Sequence, residues 1–188
     1  MAHYTFAQFT NDVDVVVRCE PQPQVVVQSI RPLLQRLLSQ PDWLDDTFRC
    51  PVPHKPYTQY LLHMPTDEAW SVVSFVWPHG SVTPIHDHCT WGVIGVYQGH
   101  ESETPYRIVA GSIAAGKARV VAQGTAVIPP GEVSCVLPPY DIHRVANPGE
   151  DVAVSIHVYG TNIGKQARHV FDEHTGEVRN FVSGYDNA

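Results

Sequence analysis

Between Gln24 and Gln40 the apolar residues Val26, Ile30, Leu33, Leu34, Leu37 and Leu38 recur at three- and four-residue intervals. That spacing places them on one stripe of an α-helix and predicts a helix over 24–40. Pro32 interrupts it. Proline lacks the N–H that the helix ladder needs, so the pattern predicts two short helices meeting there. A weaker helical pattern covers 5–18. Beyond Pro53 the period changes. The segments 57–64, 71–77, 91–98, 106–110, 118–122, 126–128, 134–137 and 152–159 are short, rich in Val, Ile and aromatic residues, and bounded by Gly or Pro. They predict strands. A final hairpin joins 168–171 to 178–182 through Asp172-Glu173-His174-Thr175-Gly176-Glu177. The chain shows no repeat, linker or low-complexity run. One domain over 1–188 is expected, with a helical part (1–50) packed on a mainly β sandwich or barrel (55–182).

Composition agrees with a folded body. Of 188 residues, 43% are hydrophobic and 16% charged, enough for a sizeable core and against disorder. The 16 prolines and 13 glycines are spread along the chain, as many short strands and turns require. Acidic residues outnumber Lys and Arg 19 to 12, a net charge of −7. Such a surface repels phosphate backbones and anionic lipid, and no basic cluster offsets it. Nucleic acid and membrane are therefore not expected partners. No apolar run approaches membrane-spanning length, and residues 1–9 carry no basic segment followed by an apolar one. The four cysteines form no CxxC pair. Free thiols in a reducing cytoplasm are the simplest reading.

The chemistry is concentrated in His86-Asp87-His88, preceded by Gly80 and answered downstream by His143. Histidines at i and i+2 face the same way on a strand. With a third from a distant strand they would present three nitrogens to one divalent metal and leave positions open. Ser155, His157 and Tyr159 alternate with apolar Val154, Ile156 and Val158, so the three polar side chains share one strand face. Cys89, next to His88, is expected to face away from the metal and pack. Trp91 and Tyr97 read as core aromatics. His3, His54, His63, His79, His100, His169 and His174 read as structural.

Gly80-x5-His86-x-His88, followed by Pro138, His143 and Asn147, resembles the two motifs of the cupin superfamily of jelly-roll barrels. Gly92 and Val93 stand where cupins usually carry a glutamate ligand. A three-histidine site of this kind, with a Ser-x-His-x-Tyr strand, resembles the cysteine dioxygenase family, from about Tyr57 to Arg168. Two departures are similar to its bacterial glutamine-type members, the 3-mercaptopropionate dioxygenases. Tyr57-Thr58-Gln59 replaces a Tyr-Thr-Arg segment, and Gly92 replaces the cysteine that cross-links to the relay tyrosine. The resemblance implies Fe(II) held by His86, His88 and His143, and a relay of Ser155, His157 and Tyr159. It implies that Arg168 grips a substrate carboxylate, with Gln59 as a neutral amide beside it. The implied reaction adds both atoms of O2 to the thiolate of 3-mercaptopropionate.

Three neutral imidazoles leave the ion its full charge, which favours binding a thiol as thiolate. An arginine pairs bidentately with a carboxylate. No acidic residue is evident for a substrate ammonium, so an amine-free thiol acid is favoured over L-cysteine. The alternatives are cysteine dioxygenase activity, another metal-cupin reaction, and a non-enzymatic metal-binding module. Oligomeric state is open.

Overall fold

A computed structural model describes residues 3–187. Helix α1 (Phe6–Cys19) starts at a capping box: the Gln8 amide N–H donates to Thr5 Oγ1 at 3.2 Å, and the Thr5 N–H donates to Gln8 Oε1 at 2.9 Å. Helix α2 (Pro23–Leu38) has Pro23 in its first turn, where no N–H is needed. It runs unbroken through Pro32, contrary to the two-helix expectation. Pro32 is exposed, and so is Gln28, four residues earlier, so the carbonyl that proline leaves without a donor can meet water. A short 3-10 turn, Asp46–Arg49, follows.

Twelve strands follow among the described residues: β1 (Thr58–His63), β2 (Ser71–Trp77), β3 (Ile85–His86), β4 (Gly92–Gln98), β5 (Glu101–Ser112), β6 (Lys117–Ala122), β7 (Ala126–Ile128), β8 (Val133–Val136), β9 (His143–Ala146), β10 (Ala153–Tyr159), β11 (Arg168–Phe171) and β12 (Val178–Phe181). All pair antiparallel. One sheet has the order β1-β2-β10-β4-β8; the other runs β12-β11-β3-β9-β5-β6, with β7 also paired to β5. The chain crosses from one sheet to the other between β2 and β3, β3 and β4, and β4 and β5. This interleaving is a jelly roll. The expected mainly β barrel with N-terminal helices is therefore the observed fold.

Alternation along the strands separates two interiors. In β2 and β10, Val72, Val76, Val154, Ile156 and Val158 join the cluster formed with the helices, which includes Ile30, Leu34 and Leu37. Val73, Phe75, Trp77 and Tyr159 face the other way, into the barrel. A sheet buried on both faces reads as continuous apolar segments, which is why β2 was legible residue for residue. Gly95 lets α2 sit close: a Cβ there would stand 2.5 Å from Leu38 Cδ1 and 3.0 Å from Leu34 Cδ2. The C-terminal segment lies along edge strand β1, where the Gln59 N–H donates to Asp186 and the Leu61 N–H to Asn187. Among the described residues no helix is long and apolar enough to cross a membrane.

Candidate metal centre and its pocket

Strands β3 and β9 pair directly at His86 and His143. The third histidine arrives differently from the expected strand alternation. Strand β3 ends at His86, and the chain turns. The Asp87 carboxylate accepts from the His169 backbone N–H and from its Nδ1, both at 2.7 Å. The N–H groups of His88 and Cys89 both donate to Asp141 Oδ2, at 3.0 and 2.8 Å. Cys89 has φ of 54°, a left-handed conformation. This clamp, not a continuing strand, brings the His88 ring back to the other two. Cys89 is exposed, not packed as expected.

The three rings are buried, with centroids 4.8–5.0 Å apart. Their ligand-capable atoms all lie within 4.8 Å of one another. Each Nδ1 is already engaged: His86 with Pro84 O at 3.0 Å, His88 with Asp141 O at 3.1 Å, and His143 with Glu103 Oε1 at 2.7 Å. These acceptors place the proton on Nδ1 and leave each Nε2 lone pair free to bind a metal. Burial, reinforced by the neighbouring rings, holds the pKa values of His86 and His88 well below the usual histidine value, so both stay neutral. Burial pushes Glu103 up, but its bond to His143 outweighs this and keeps it a carboxylate. The donor set fits a divalent ion: three imidazole nitrogens converge, and each ring is oriented from behind. The absence of a carboxylate among the three was anticipated; the carboxylate directly behind His143 was not.

Strand β10 crosses the pocket from the opposite sheet. Ser155 Oγ lies 2.7 Å from His157 Nε2, and His157 Nδ1 lies 2.8 Å from Tyr159 Oη. Burial holds the His157 imidazole neutral and raises the Tyr159 phenol pKa. The Tyr159 ring stacks on His88 at 5.4 Å. Gly92 lies against that ring; a Cβ there would stand 3.0 Å from its Cδ1 and Cε1.

Arg168 opens β11 and is 4% exposed. Its guanidinium sits over Phe181 at 4.6 Å and donates to Ser183 Oγ at 2.8 Å, while its buried Nε has no partner. Burial lowers its pKa, but a guanidinium stays charged. No carboxylate pairs with it among the described residues. Gln59, from β1, gives its Nε2 to Ser183 Oγ and to the Gly184 carbonyl. Its amide N–H groups are thus spent on the C-terminal segment, a use the sequence did not suggest.

One cavity is lined by seven of the eight residues singled out in the sequence: Gln59, His86, His88, His143, His157, Tyr159 and Arg168. Ser155 lies behind them. Tyr57, Phe75, Trp77, Val145 and Phe181 supply apolar walls, and no Asp or Glu lines the space. Sequence reading passed over Glu103, Asp141 and the Asp87–His169 pair; His169 had read as an unconnected structural histidine. The one available signal was the alternation of Glu101 and Glu103 just ahead of the strand predicted from Tyr106.

No family model matches the chain. The structure is similar to an oxalate oxidase in complex with the substrate analogue glycolate, at 17% identity and a TM-score of 0.43, covering 59% of this chain and 53% of that one. It is also similar to an uncharacterized conserved protein with a double-stranded β-helix domain from Klebsiella pneumoniae, at 15% identity, a TM-score of 0.44 and coverage of 62% and 86%. A third is the Lactobacillus farciminis oxalate decarboxylase formate complex, at 15% identity, a TM-score of 0.46 and coverage of 64% and 33%. The chain spans about half the length of the oxalate oxidase chains it matches.

Proposed function

We propose that this protein is a cytoplasmic thiol dioxygenase, one cupin unit over residues 1–188, that converts 3-mercaptopropionate to 3-sulfinopropionate. The reaction is RSH + O2 → RSO2H, and it needs no other reductant. The observation that carries the reading is a buried guanidinium with no carboxylate partner in the same small cavity as three converging imidazoles. A buried charge without a partner is costly, so such a site favours an anion delivered by a ligand. Iron(II), held by His86, His88 and His143, would supply a binding point for thiolate and dioxygen together.

The remaining roles belong to the chain itself. Arg168 would hold the substrate carboxylate through charge-assisted hydrogen bonds. Tyr159, fixed by His157, would place its hydroxyl against the bound substrate. Phe75, Trp77 and Phe181 would keep water away from the reacting sulfur. The lining offers no carboxylate to an ammonium group, which favours an amine-free thiol acid over L-cysteine.

The test is oxygen uptake and product mass by the iron-loaded protein with 3-mercaptopropionate, L-cysteine and an uncharged thiol of similar length. The expected result is a sulfinate, with the highest kcat/KM for 3-mercaptopropionate. A higher value for L-cysteine would remove the substrate assignment. No sulfinate from any thiol would remove the reaction.

A further inference from the structure

Asp87 and Cys89 flank His88 in the chain, yet neither lines the cavity, and nor does His169. The three meet one another instead. Asp87 Oδ2 lies 2.7 Å from His169 Nδ1, and Cys89 Sγ lies 3.8 Å from that same nitrogen. Their ligand-capable atoms all lie within 4.8 Å of one another. Cys89 reaches this position through its left-handed φ of 54°, which a residue with a Cβ adopts only at a cost, held by the bond from its N–H to Asp141. The turn that brings His88 to the other two rings thus also brings a thiol to His169. None of the roles above uses that thiol.

We propose that Asp87, Cys89 and His169 form a second metal site, separate from the three-histidine centre, for a thiophilic divalent cation of the zinc(II) class. The inference does not rest on the thiol dioxygenase reading. A carboxylate and a thiolate together carry two negative charges and an imidazole none, so a divalent ion leaves the set neutral. The sulfur selects zinc-like ions over magnesium or calcium, which prefer oxygen. The spacing also suits one ion. Tetrahedral zinc holds an oxygen and a nitrogen about 3.4 Å apart, and a nitrogen and a sulfur about 3.6 Å apart. The observed 2.7 and 3.8 Å need shifts of only a few tenths of an ångström.

The surroundings allow the exchange. Asp87 Oδ1 accepts from the His169 backbone N–H at 2.7 Å, so Oδ2 can turn to an ion while the link between the two segments stays. On binding, the His169 proton moves from Nδ1 to Nε2 and the thiol proton passes to solvent; no electron changes hands. Three protein ligands leave a fourth tetrahedral position. Cys89 is exposed and borders a surface hollow with Gln24, Thr90, Trp91 and Pro138, so water can fill that position.

A nucleophilic role for the same three groups fails on geometry. In a relay, a histidine receives the nucleophile's proton on one ring nitrogen and is held by the acid through the other. Here Asp87 and Cys89 both face Nδ1, which is convergence on a point and not a chain. Desolvation and the charge of Asp87 also push the Cys89 thiol up to about 12, so without a cation it stays protonated and unreactive.

The test is an anaerobic titration of the full chain with cobalt(II), a spectroscopic substitute for zinc, in buffer free of added thiols. Only a site containing sulfur gives a sulfur-to-cobalt charge-transfer band in the near ultraviolet, and the three-histidine centre has none. The expected result is such a band in the unaltered protein and in His143→Ala, its displacement by one equivalent of zinc(II), and its loss in Cys89→Ser and in His169→Gln. No band in the unaltered protein overturns the proposal. So does a band that survives Cys89→Ser, which would place it on another cysteine, or one that survives His169→Gln, which would make it a thiolate binding cobalt alone. Should a variant fail to fold, X-ray absorption at the zinc edge of the unaltered protein with two equivalents of zinc(II) decides. It must show sulfur at about 2.3 Å beside the nitrogen and oxygen neighbours, and nitrogen and oxygen alone overturn the site. A band without sulfinate from any thiol would keep this site and sink the proposed reaction; sulfinate formation without the band would do the opposite.

Discussion

Arg168 illustrates how a single residue acquires meaning from what it lacks. It is nearly as buried as the core valines, yet its Nε is unpaired and its one side-chain hydrogen bond goes to a neutral serine. Replacing it with Ala should raise KM for 3-mercaptopropionate by roughly 10- to 100-fold, the equivalent of about 1.5–3 kcal/mol for a hydrogen bond to a charged group. An uncharged thiol of equal length should lose little, because it makes no use of the guanidinium. Steady-state kinetics with the two thiols checks this, and equal losses would make Arg168 a structural residue. Lys should rescue only in part, since an ammonium cannot reproduce the planar fork. The shared face of Ser155, His157 and Tyr159 was legible residue by residue, because alternation on a strand is written in the local sequence; the convergence of His86, His88 and His143 was legible too, but not the turn that brings His88 in. The groups behind them were not. Glu103 reaches His143 from 40 residues away and Asp141 reaches His88 from 53, and only the fold brings such pairs together.

At the scale of elements, helix α2 is a buttress for the sheet that carries the relay. Leu34 is fully buried against β4, on the face of the sheet opposite to His157. Leu34→Ala should therefore cost about 2–5 kcal/mol of stability through the cavity it leaves. It should do so without changing KM for the thiol acid in protein that remains folded. Denaturant unfolding with parallel kinetics separates the two effects; a changed KM at unchanged stability would tie α2 to the pocket. The helices and β2 were visible as patterns because each buries a continuous stripe or face, and the final hairpin because its turn residues, Asp172 to Glu177, mark it. The start of β5 was not, since Glu101-Ser102-Glu103-Thr104-Pro105 has poor strand propensity, yet pairing with β7 and β9 extends the strand over it. Strand β3 was equally hidden. Two residues carry no period, and the turn that follows is set by Asp87 and Asp141, not by Gly or Pro.

For the whole molecule, the buried acid Glu101 imposes a pH-dependent cost on folding. Below pH 4.5, Glu101 is protonated in both the folded and the unfolded chain and contributes no difference. Between 4.5 and about 7 the folded protein keeps a proton that the unfolded chain has released, so stability falls as pH rises through that window and levels off above it. The interval amounts to about 3 kcal/mol at alkaline pH. Glu101→Gln removes this titration and leaves all others in place. The stability of the variant relative to the unaltered protein should therefore grow by about 3 kcal/mol from about pH 4 to about pH 8, read from denaturant midpoints at constant slope. Parallel stability curves would mean that Glu101 titrates normally. A gain confined to that window would show that burial holds the proton on Glu101 in the folded protein.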